Sequence, residues 1–182
     1  MNRELENIFP LSPMQQGMLF ESLYAPHSGA GIVQLCYTVE GPLDVALLGR
    51  AWQRAVDRHG ILRTGFHWER LDRPLQVVHR KTALDLTVHD WTHLAPREQD
   101  VALDDLLRDD RRRSFALSRP PLMRLYLLQR AAGLNTIVIS HHHLLLDGWS
   151  TGLLLREVVS LYEAEVARLP INLPPPPAFA DY

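Results

Sequence analysis

The stretch that organises this sequence is LNTIVISHHHLLLDGWS, residues 134–150. Its first part, residues 134–142, is a predicted strand that is apolar on both faces, which is typical of a strand with neighbours on both sides. Asp147 and Gly148 then introduce a predicted helix that ends before Pro170. The pattern therefore predicts a central strand that ends in three histidines and continues through a short loop into a helix.

The three adjacent histidines, His141, His142 and His143, are the strongest chemical signal. A buried imidazole without a partner is costly, so the cluster needs a reason. Strand alternation places His142 on the opposite face from the other two, so the three rings cannot converge on one ion. No helical His-Glu-x-x-His pair is present and Cys36 is the sole cysteine, so no metal site is predicted.

A histidine at a strand end can instead do acid–base chemistry. Its ordinary pKa of ~6.5 lets it take a proton from a nucleophile and return it to a leaving group. No Gly-x-Ser-x-Gly turn accompanies it, so a serine triad is not supported. Asp147 requires a cation if it is buried, and Arg63 is the candidate partner. The alternative is that Arg63 lies at the surface and Asp147 only caps the last helix.

The rest of the chain alternates between helices and strands. Ser12, Pro13 and Gln15 predict a capped helix that runs to about Leu23. Met14, Met18, Leu19 and Leu23 would form its core face, although the two methionines could equally lie beside a bound acyl chain. Further helices are predicted after Asp44 and at Pro96. Further strands are predicted at residues 32–40, 61–68, 75–79, 84–89 and 122–129. The mixed-sign run at residues 108–113 is predicted to be a solvated helix face.

Composition excludes several classes of protein. The chain has 182 residues, of which 46% are apolar and 22% charged, so it is typical of one globular domain or half of a larger one. Its net charge of -2 provides no field for nucleic acid. No apolar stretch reaches the ~18 residues of a membrane span, and no signal peptide opens the chain. We therefore expect a cytoplasmic protein with neither nucleic acid nor membrane as partner.

Three motifs resemble those of the condensation domains of nonribosomal peptide synthetases and follow one another along the chain in the same order as in that family. Residues 142–148 fit that family's His-His-x-x-x-Asp-Gly motif. Residues 58–66 are similar to its Arg-His-x-x-Leu-Arg-Thr-x-Phe motif, and residues 11–20 to a variant of its opening motif. Residues 115–124 are similar to the segment that precedes the catalytic strand in that family. The resemblance covers essentially the whole chain.

The resemblance implies an α/β fold like chloramphenicol acetyltransferase, with a central, largely antiparallel or mixed sheet flanked by helices. It implies that residues 1–170 are the N-terminal lobe, and that the Pro-rich residues 171–182 connect to a missing C-terminal lobe. It also implies amide-bond formation between a donor thioester and an acceptor aminoacyl thioester. Both substrates would be carried on the phosphopantetheine of peptidyl carrier domains, with no cofactor bound by this domain. An adenylation domain is an expected neighbour.

By the same resemblance, His143 is catalytic, His142 is supporting, and Asp147 is structural and paired with Arg63. Gly148 would keep the backbone close to a substrate tunnel. We expect that tunnel to be lined by Met14, Gln15, Met18, Trp149 and Ser150.

Three alternatives stay open at this stage. The chain could belong to a coenzyme A-dependent acyltransferase of the same fold, or to an epimerisation domain with the same histidine motif. It could also be a binding lobe that is inactive when isolated. Heterocyclisation is not expected, because cyclising relatives replace the two histidines.

Overall fold

The computed structural model describes residues 4–25, 28–29, 31–171 and 173–176. The described helices are α1 (Pro13–Tyr24), α2 (Val45–Arg58), α3 (Pro96–Arg112) and α4 (Gly148–Ala167). The described strands are β1 (Leu5–Pro10), β2 (Ile32–Glu40), β3 (Thr64–His67), β4 (Leu75–His79), β5 (Leu86–Asp90), β6 (Met123–Ala131) and β7 (Leu134–His142). The predicted α/β class is confirmed.

The strands form two sheets within the described part of the chain. The smaller sheet has the order β1-β4-β3 and is antiparallel. The larger has the order β2-β7-β6-β5, in which only the β5–β6 pair is parallel. The prediction that β7 is a central strand is confirmed, since β2 and β6 pair with it on either side. His141 and His142, the last two residues of β7, are buried, so their surroundings are protein groups and not bulk water.

Helices cover both faces of the larger sheet. On one face, α2 and α4 pack over the main core, which includes Trp52, Leu125 and Leu161. On the other face, α3 packs over a smaller cluster built on Trp91, Leu128 and Val138. Adjacent strand residues such as Leu127 and Leu128 thus belong to different cores, as strand alternation requires. Each such buried apolar side chain stabilises the fold by roughly 1.5–3 kcal/mol.

Local signals placed most elements correctly. The boundaries predicted for residues 32–40, 75–79 and 134–142 coincide with β2, β4 and β7. Helix α1 has the predicted capping box: the Ser12 hydroxyl accepts from the Gln15 N–H, and the Gln15 side chain accepts from the Ser12 N–H. These agreements reflect interactions between residues only a few positions apart.

Three departures have physical causes. Residues 61–68 were expected to form one strand, but Gly60–Arg63 is a 3-10 turn that continues directly from the end of α2. Strand β1 was not predicted, because it lies at a sheet edge and its residues are mostly exposed. The expected core face of α1 is wrong in part: Leu19 is buried, whereas the Met14 side chain is 71% exposed.

The Pro-rich segment is described at residues 171 and 173–176, while residues 172 and 177–182 lie outside the described range. Ile171 and Leu173 pack against the main core. The Arg58 guanidinium donates to the Pro174 carbonyl at 2.8 Å and pairs with Glu157 at 2.7 Å. The start of the predicted connector is thus attached to the lobe. Its continuation toward a second lobe stays a prediction.

Candidate active site

The histidine cluster lies where β7 leaves the sheet. The His142 N–H donates to the Leu122 carbonyl at 3.0 Å, and the next amide, that of His143, donates to the Gly31 carbonyl at 2.7 Å. Both amides are thus paired although β7 ends at His142. The backbone at His143 is held in place by hydrogen bonds on leaving the strand.

The His142 ring is buried and hydrogen-bonded through both nitrogens. Its Nδ1 accepts from the Leu144 N–H at 3.2 Å. Because an amide N–H can only donate, Nδ1 is unprotonated, and Nε2 donates to the Ser22 hydroxyl at 3.2 Å. The hydroxyl in turn donates to the Met18 carbonyl at 2.8 Å. Burial, with a smaller contribution from the two neighbouring histidines, lowers the pKa of His142 to about 4.

Gly31 makes room for this ring. Its φ of 77° lies in the left-handed region that glycine adopts without strain. A Cβ atom at this position would lie 2.8 Å from His142 Nε2. A larger residue at position 31 would therefore displace the ring or the chain around it.

His141 is also buried. Its Nδ1 lies 3.2 Å from the His142 carbonyl and donates to it, while Nε2 has no hydrogen-bond partner among the described residues. Burial lowers the pKa of this ring, which favours the neutral form. His141 thus packs inside the protein, where it adds no charge beside the other histidines.

His143 differs from its two neighbours because its side chain is half-buried. Its Nδ1 lies 2.8 Å from the Leu146 carbonyl, which can only accept, so Nδ1 carries the proton. In the neutral ring this tautomer leaves the lone pair on Nε2. None of the hydrogen bonds found among the described residues involves Nε2. The loop that follows β7 therefore orients one imidazole with its basic nitrogen available to a reactant.

Asp147 does not pair with Arg63, so that prediction is wrong. Asp147 is exposed and is the N-cap of α4, where its Oδ1 accepts from the Ser150 N–H at 2.7 Å. That backbone hydrogen bond is the main reason why the pKa of Asp147 lies below its usual value. The alternative in which Asp147 caps the helix is the correct one for this residue.

Arg63 is buried, not at the surface, and it serves a different part of the fold. Its guanidinium donates to Glu6 at 2.7 Å, to the Val56 carbonyl at 3.1 Å and to the His79 carbonyl. Glu6 lies on β1, the strand that was not predicted, so its pairing with Arg63 was missed. Arg63 therefore joins β1 and β4 to the end of α2 and does not contact the histidine loop.

Comparisons with known proteins identify the family of this chain. Residues 5–182 match the family model "Condensation domain". The chain belongs to the condensation domain family. It is 43% identical over 181 residues to one of the linear gramicidin synthase proteins of Brevibacillus parabrevis, covering 100% of this chain and 4% of that protein. It is 36% identical to bacitracin synthase 3 of Bacillus licheniformis over 159 residues, or 87% of this chain and 2% of that protein.

Solved condensation domains share the fold. The starter condensation domain of rhizomide synthetase RzmA superposes with a TM-score of 0.86 at 21% identity, covering 97% of this chain and 44% of that one. The first condensation domain of the calcium-dependent antibiotic synthetase, in complex with a substrate analogue, gives 0.84 at 20% identity, covering 93% and 42%. The chain thus spans less than half of these solved domains and a small part of the curated relatives.

The residues expected to line a tunnel in this condensation domain lie in different environments. Met14 and Trp149 are strongly exposed, while Met18 packs against the main core. Gln15 is buried and its amide is hydrogen-bonded, so lining a tunnel is wrong for this residue. Ser150 is half-buried at the start of α4 and donates to its cap.

Gly148 and His143 lie apart from the cleft that adjoins the buried histidines. A Cβ on Gly148 would meet nothing within 4 Å, so no close backbone approach explains this glycine. A cleft of about 250 Å³ beside the histidines is lined in part by Ser22, Phe115 and His142, but not by His143. The half-buried His143 ring lies outside this cleft.

A buried charged cluster, Asp110 with Gln34, Arg124 and Tyr126, was missed in the sequence. Asp110 belongs to the run predicted to be a solvated helix face, yet it is only 4% exposed. Its Oδ1 accepts from Arg124 Nε and from the Tyr126 hydroxyl, each at 2.6 Å, and its Oδ2 accepts from Gln34 at 2.8 Å. No local signal distinguishes Asp110 from the exposed Asp109 beside it.

The described residues contain neither a candidate metal site nor a candidate membrane span. No group of three His, Cys, Asp or Glu side chains among them could hold a metal ion. None of the described helices combines the length and the apolar character that crossing a bilayer requires.

Proposed function

We propose that this chain is the N-terminal lobe of a condensation domain that forms an amide bond between two carrier-bound thioesters. The observation that carries the proposal is the His143 ring, whose Nδ1 donates to the Leu146 carbonyl and whose Nε2 keeps its lone pair. That nitrogen suits an amine nucleophile, because an attacking amine must lose a proton as the new bond forms.

In the proposed reaction the acceptor amine attacks the carbonyl carbon of the donor thioester. The C–N bond forms, His143 Nε2 accepts a proton from the nitrogen, and the C–S bond then breaks. The departing sulfur takes the proton, so that amide and thiol are the products. General-base assistance of this kind contributes roughly 10²- to 10⁴-fold. Holding the two thioesters in line contributes further without covalent catalysis.

We infer that the substrates arrive on the phosphopantetheine arms of donor and acceptor peptidyl carrier domains. The membership in the condensation domain family and the similarity to peptide synthases support this inference. Proximity to an adenylation domain and a cytoplasmic location remain predictions. A second lobe is supported by the solved condensation domains, of which this chain covers about two fifths. We expect the isolated lobe to be inactive, because the proposed substrate tunnel would lie between the two lobes.

A coenzyme A-dependent acyltransferase is the second candidate. A mutant of the rhizomide synthetase starter domain was solved in complex with C8-CoA and Leu-SNAC, and its TM-score to this chain is 0.85. That structure, at 21% sequence identity, covers 96% of this chain and shows the fold alone. The choice between the two candidates concerns the carrier of the donor acyl group.

The experiment compares donors in the full-length protein. We expect amide product from donor and acceptor groups loaded on carrier domains, and at least ~100-fold less product after His143→Ala. The exposed His93 provides a control, since His93→Ala removes a histidine distant in sequence from the cluster. Faster reaction with coenzyme A thioesters would favour the second candidate. Equal rates for His143→Ala and the unmodified protein would refute the proposed role of His143.

A further inference from the structure

Two buried glutamines face each other beneath the histidine loop. Gln15 on α1 is 7% exposed and Gln76 on β4 is fully buried. Gln76 Nε2 donates to Gln15 Oε1 at 3.2 Å, and Gln15 Nε2 lies 3.4 Å from Gln76 Oε1. Two amides in the interior are costly unless each group is paired, so this pair requires an explanation.

Backbone groups fix the orientation of both amides. The Ser12 N–H can only donate, and it donates to Gln15 Oε1 at 3.0 Å. The Pro10 carbonyl can only accept, and it accepts from Gln76 Nε2 at 3.0 Å. The Gln15 amino group therefore faces away from Ser12, toward the carbonyl of Leu144, to which it donates at 3.3 Å.

Leu144 is the residue directly after His143, and both of its peptide groups are held. Its N–H donates to His142 Nδ1 at 3.2 Å, and its carbonyl accepts from Gln15. The first of these partners, His142, belongs to β7. The second, Gln15, belongs to α1 and is itself hydrogen-bonded to Gln76 on β4. The Leu146 carbonyl orients the His143 ring. The backbone that leads from His143 to Leu146 is held to the core at Leu144, the first residue after His143.

From this geometry we propose that Gln15 is a positioning residue for His143, with Gln76 holding the Gln15 amide in place. The proposal rests on the proposed function, because it assigns Gln15 a part in the same reaction. Gln15 acts by fixing the loop that presents the His143 ring, and it does not contact substrate. A displacement of about 1 Å at a reacting group can cost ~10²-fold in rate.

The test is the substitution Gln15→Met in the full-length protein, assayed for condensation of carrier-bound thioesters. Methionine keeps the unbranched shape and removes the donor to Leu144. We expect kcat to fall about 10- to 100-fold while KM for both loaded carriers stays within about twofold. Asp44→Ala is the control. It removes the N-cap of α2 and does not alter the amide pair, so kcat should be unchanged although the unfolding temperature falls.

A double-mutant cycle with His143→Ala separates positioning from simple stabilisation. If Gln15 acts through His143, then Gln15→Met changes the residual rate of the His143→Ala protein by less than about twofold. An equal loss of rate in both backgrounds would overturn the inference, as would an unchanged kcat for Gln15→Met alone. If Gln15→Met does not fold, Gln15→Asn takes its place, since the shorter amide cannot reach Leu144. Full activity of His143→Ala would instead overturn the proposed function and the inference with it.

Discussion

Two of the buried polar regions of this domain are built in opposite ways. At the end of β7, His141 and His142 are kept neutral: burial lowers the pKa of both rings, and their partners are a hydroxyl and backbone groups. In the Asp110 cluster, by contrast, a carboxylate and a guanidinium lie at 2.6 Å. Burial acts to raise the pKa of Asp110, but hydrogen bonds, first of all from Arg124, outweigh it and keep the carboxyl ionised.

The difference corresponds to two roles: the histidine region serves the proposed reaction, and the Asp110 cluster holds the fold together. The neutral rings of His141 and His142 add no charge beside His143, while the exposed Asp147 carboxylate lies close enough to interact with it. A paired charge holds α3 to β6 in one geometry. The two regions meet at Phe115. Its ring centroid lies 3.9 Å from the Arg124 guanidinium carbon, and its ring is at 82° to the His142 ring at a centroid distance of 6.4 Å.

The largest expected effect on stability comes from a substitution in the charged Asp110 cluster. Asp110→Ala leaves the Arg124 guanidinium buried without its carboxylate, so the free energy of unfolding should fall by about 3–5 kcal/mol. The control is Asp109→Ala, at a side chain that is 78% exposed, which should change it by less than about 0.5 kcal/mol. Urea unfolding followed by circular dichroism measures both. Similar losses for the two variants would mean that the Asp110 cluster contributes nothing specific.

The neutral region should respond to acid. His142 has a folded pKa of about 4 against 6.5 unfolded, so the unfolded chain binds a proton first as the pH falls. The contribution of His142 to the free energy of unfolding is therefore fully present above pH 6.5. It decreases by about 3 kcal/mol as the pH falls to 4. The lowered pKa of Asp110 acts only below about pH 4 and does not contribute in this window.

Unfolding curves at several pH values between 4 and 7 measure this dependence. In His142→Asn the amide oxygen can replace Nδ1 as acceptor for the Leu144 N–H, but the residue cannot titrate. The slope of stability against pH should therefore be smaller in this variant and retain the part due to His141 and His67, whose pKa values burial also lowers. A slope that does not change would contradict the assignment of His142 as a buried neutral ring.

A smaller effect is expected at the helix that follows the histidine loop. Asp147 was predicted to be a buried ion-pair residue, whose replacement would reduce the amount of folded protein. Because Asp147 is an exposed N-cap, Asp147→Ala should lower the free energy of unfolding by about 1 kcal/mol. Asp44 caps α2 in the same way and supplies the comparison, so Asp44→Ala should cost a similar amount. Loss of folded protein for Asp147→Ala alone would restore the buried-pair interpretation.

The smallest effect is expected at Glu6. Its side chain is 45% exposed while its partner Arg63 is 5% exposed, and Arg63 retains two backbone carbonyls as acceptors. Glu6→Ala should therefore lower the free energy of unfolding by no more than about 1 kcal/mol. Thermal unfolding at low and high salt measures it, and high salt should reduce the difference from the unmodified protein. A loss as large as that of Asp110→Ala would show that exposure does not weaken this pair.

The sequence allowed much of the fold to be predicted but less of the site. Residues close together in the chain were enough to predict strand β7, the α1 capping box and the motifs. The partners of Arg63 and Gln15 could not be predicted in this way. Glu6 lies 57 residues from Arg63, and Leu144 lies 129 residues from Gln15. Pairings at such separations depend on which strands become neighbours, and periodicity carries no information about that.

By itself, the sequence determined where helices begin, which strand is central, and that a histidine motif ends that strand. These follow from capping, alternation and side-chain chemistry, which act over a few residues. Only the tertiary structure decided which of the three histidines exposes a basic nitrogen, that Asp110 is buried while Asp109 is not, and that Gln15 supports the loop. Burial and hydrogen-bond partners are properties of the packed chain, because they arise only when distant segments exclude water together.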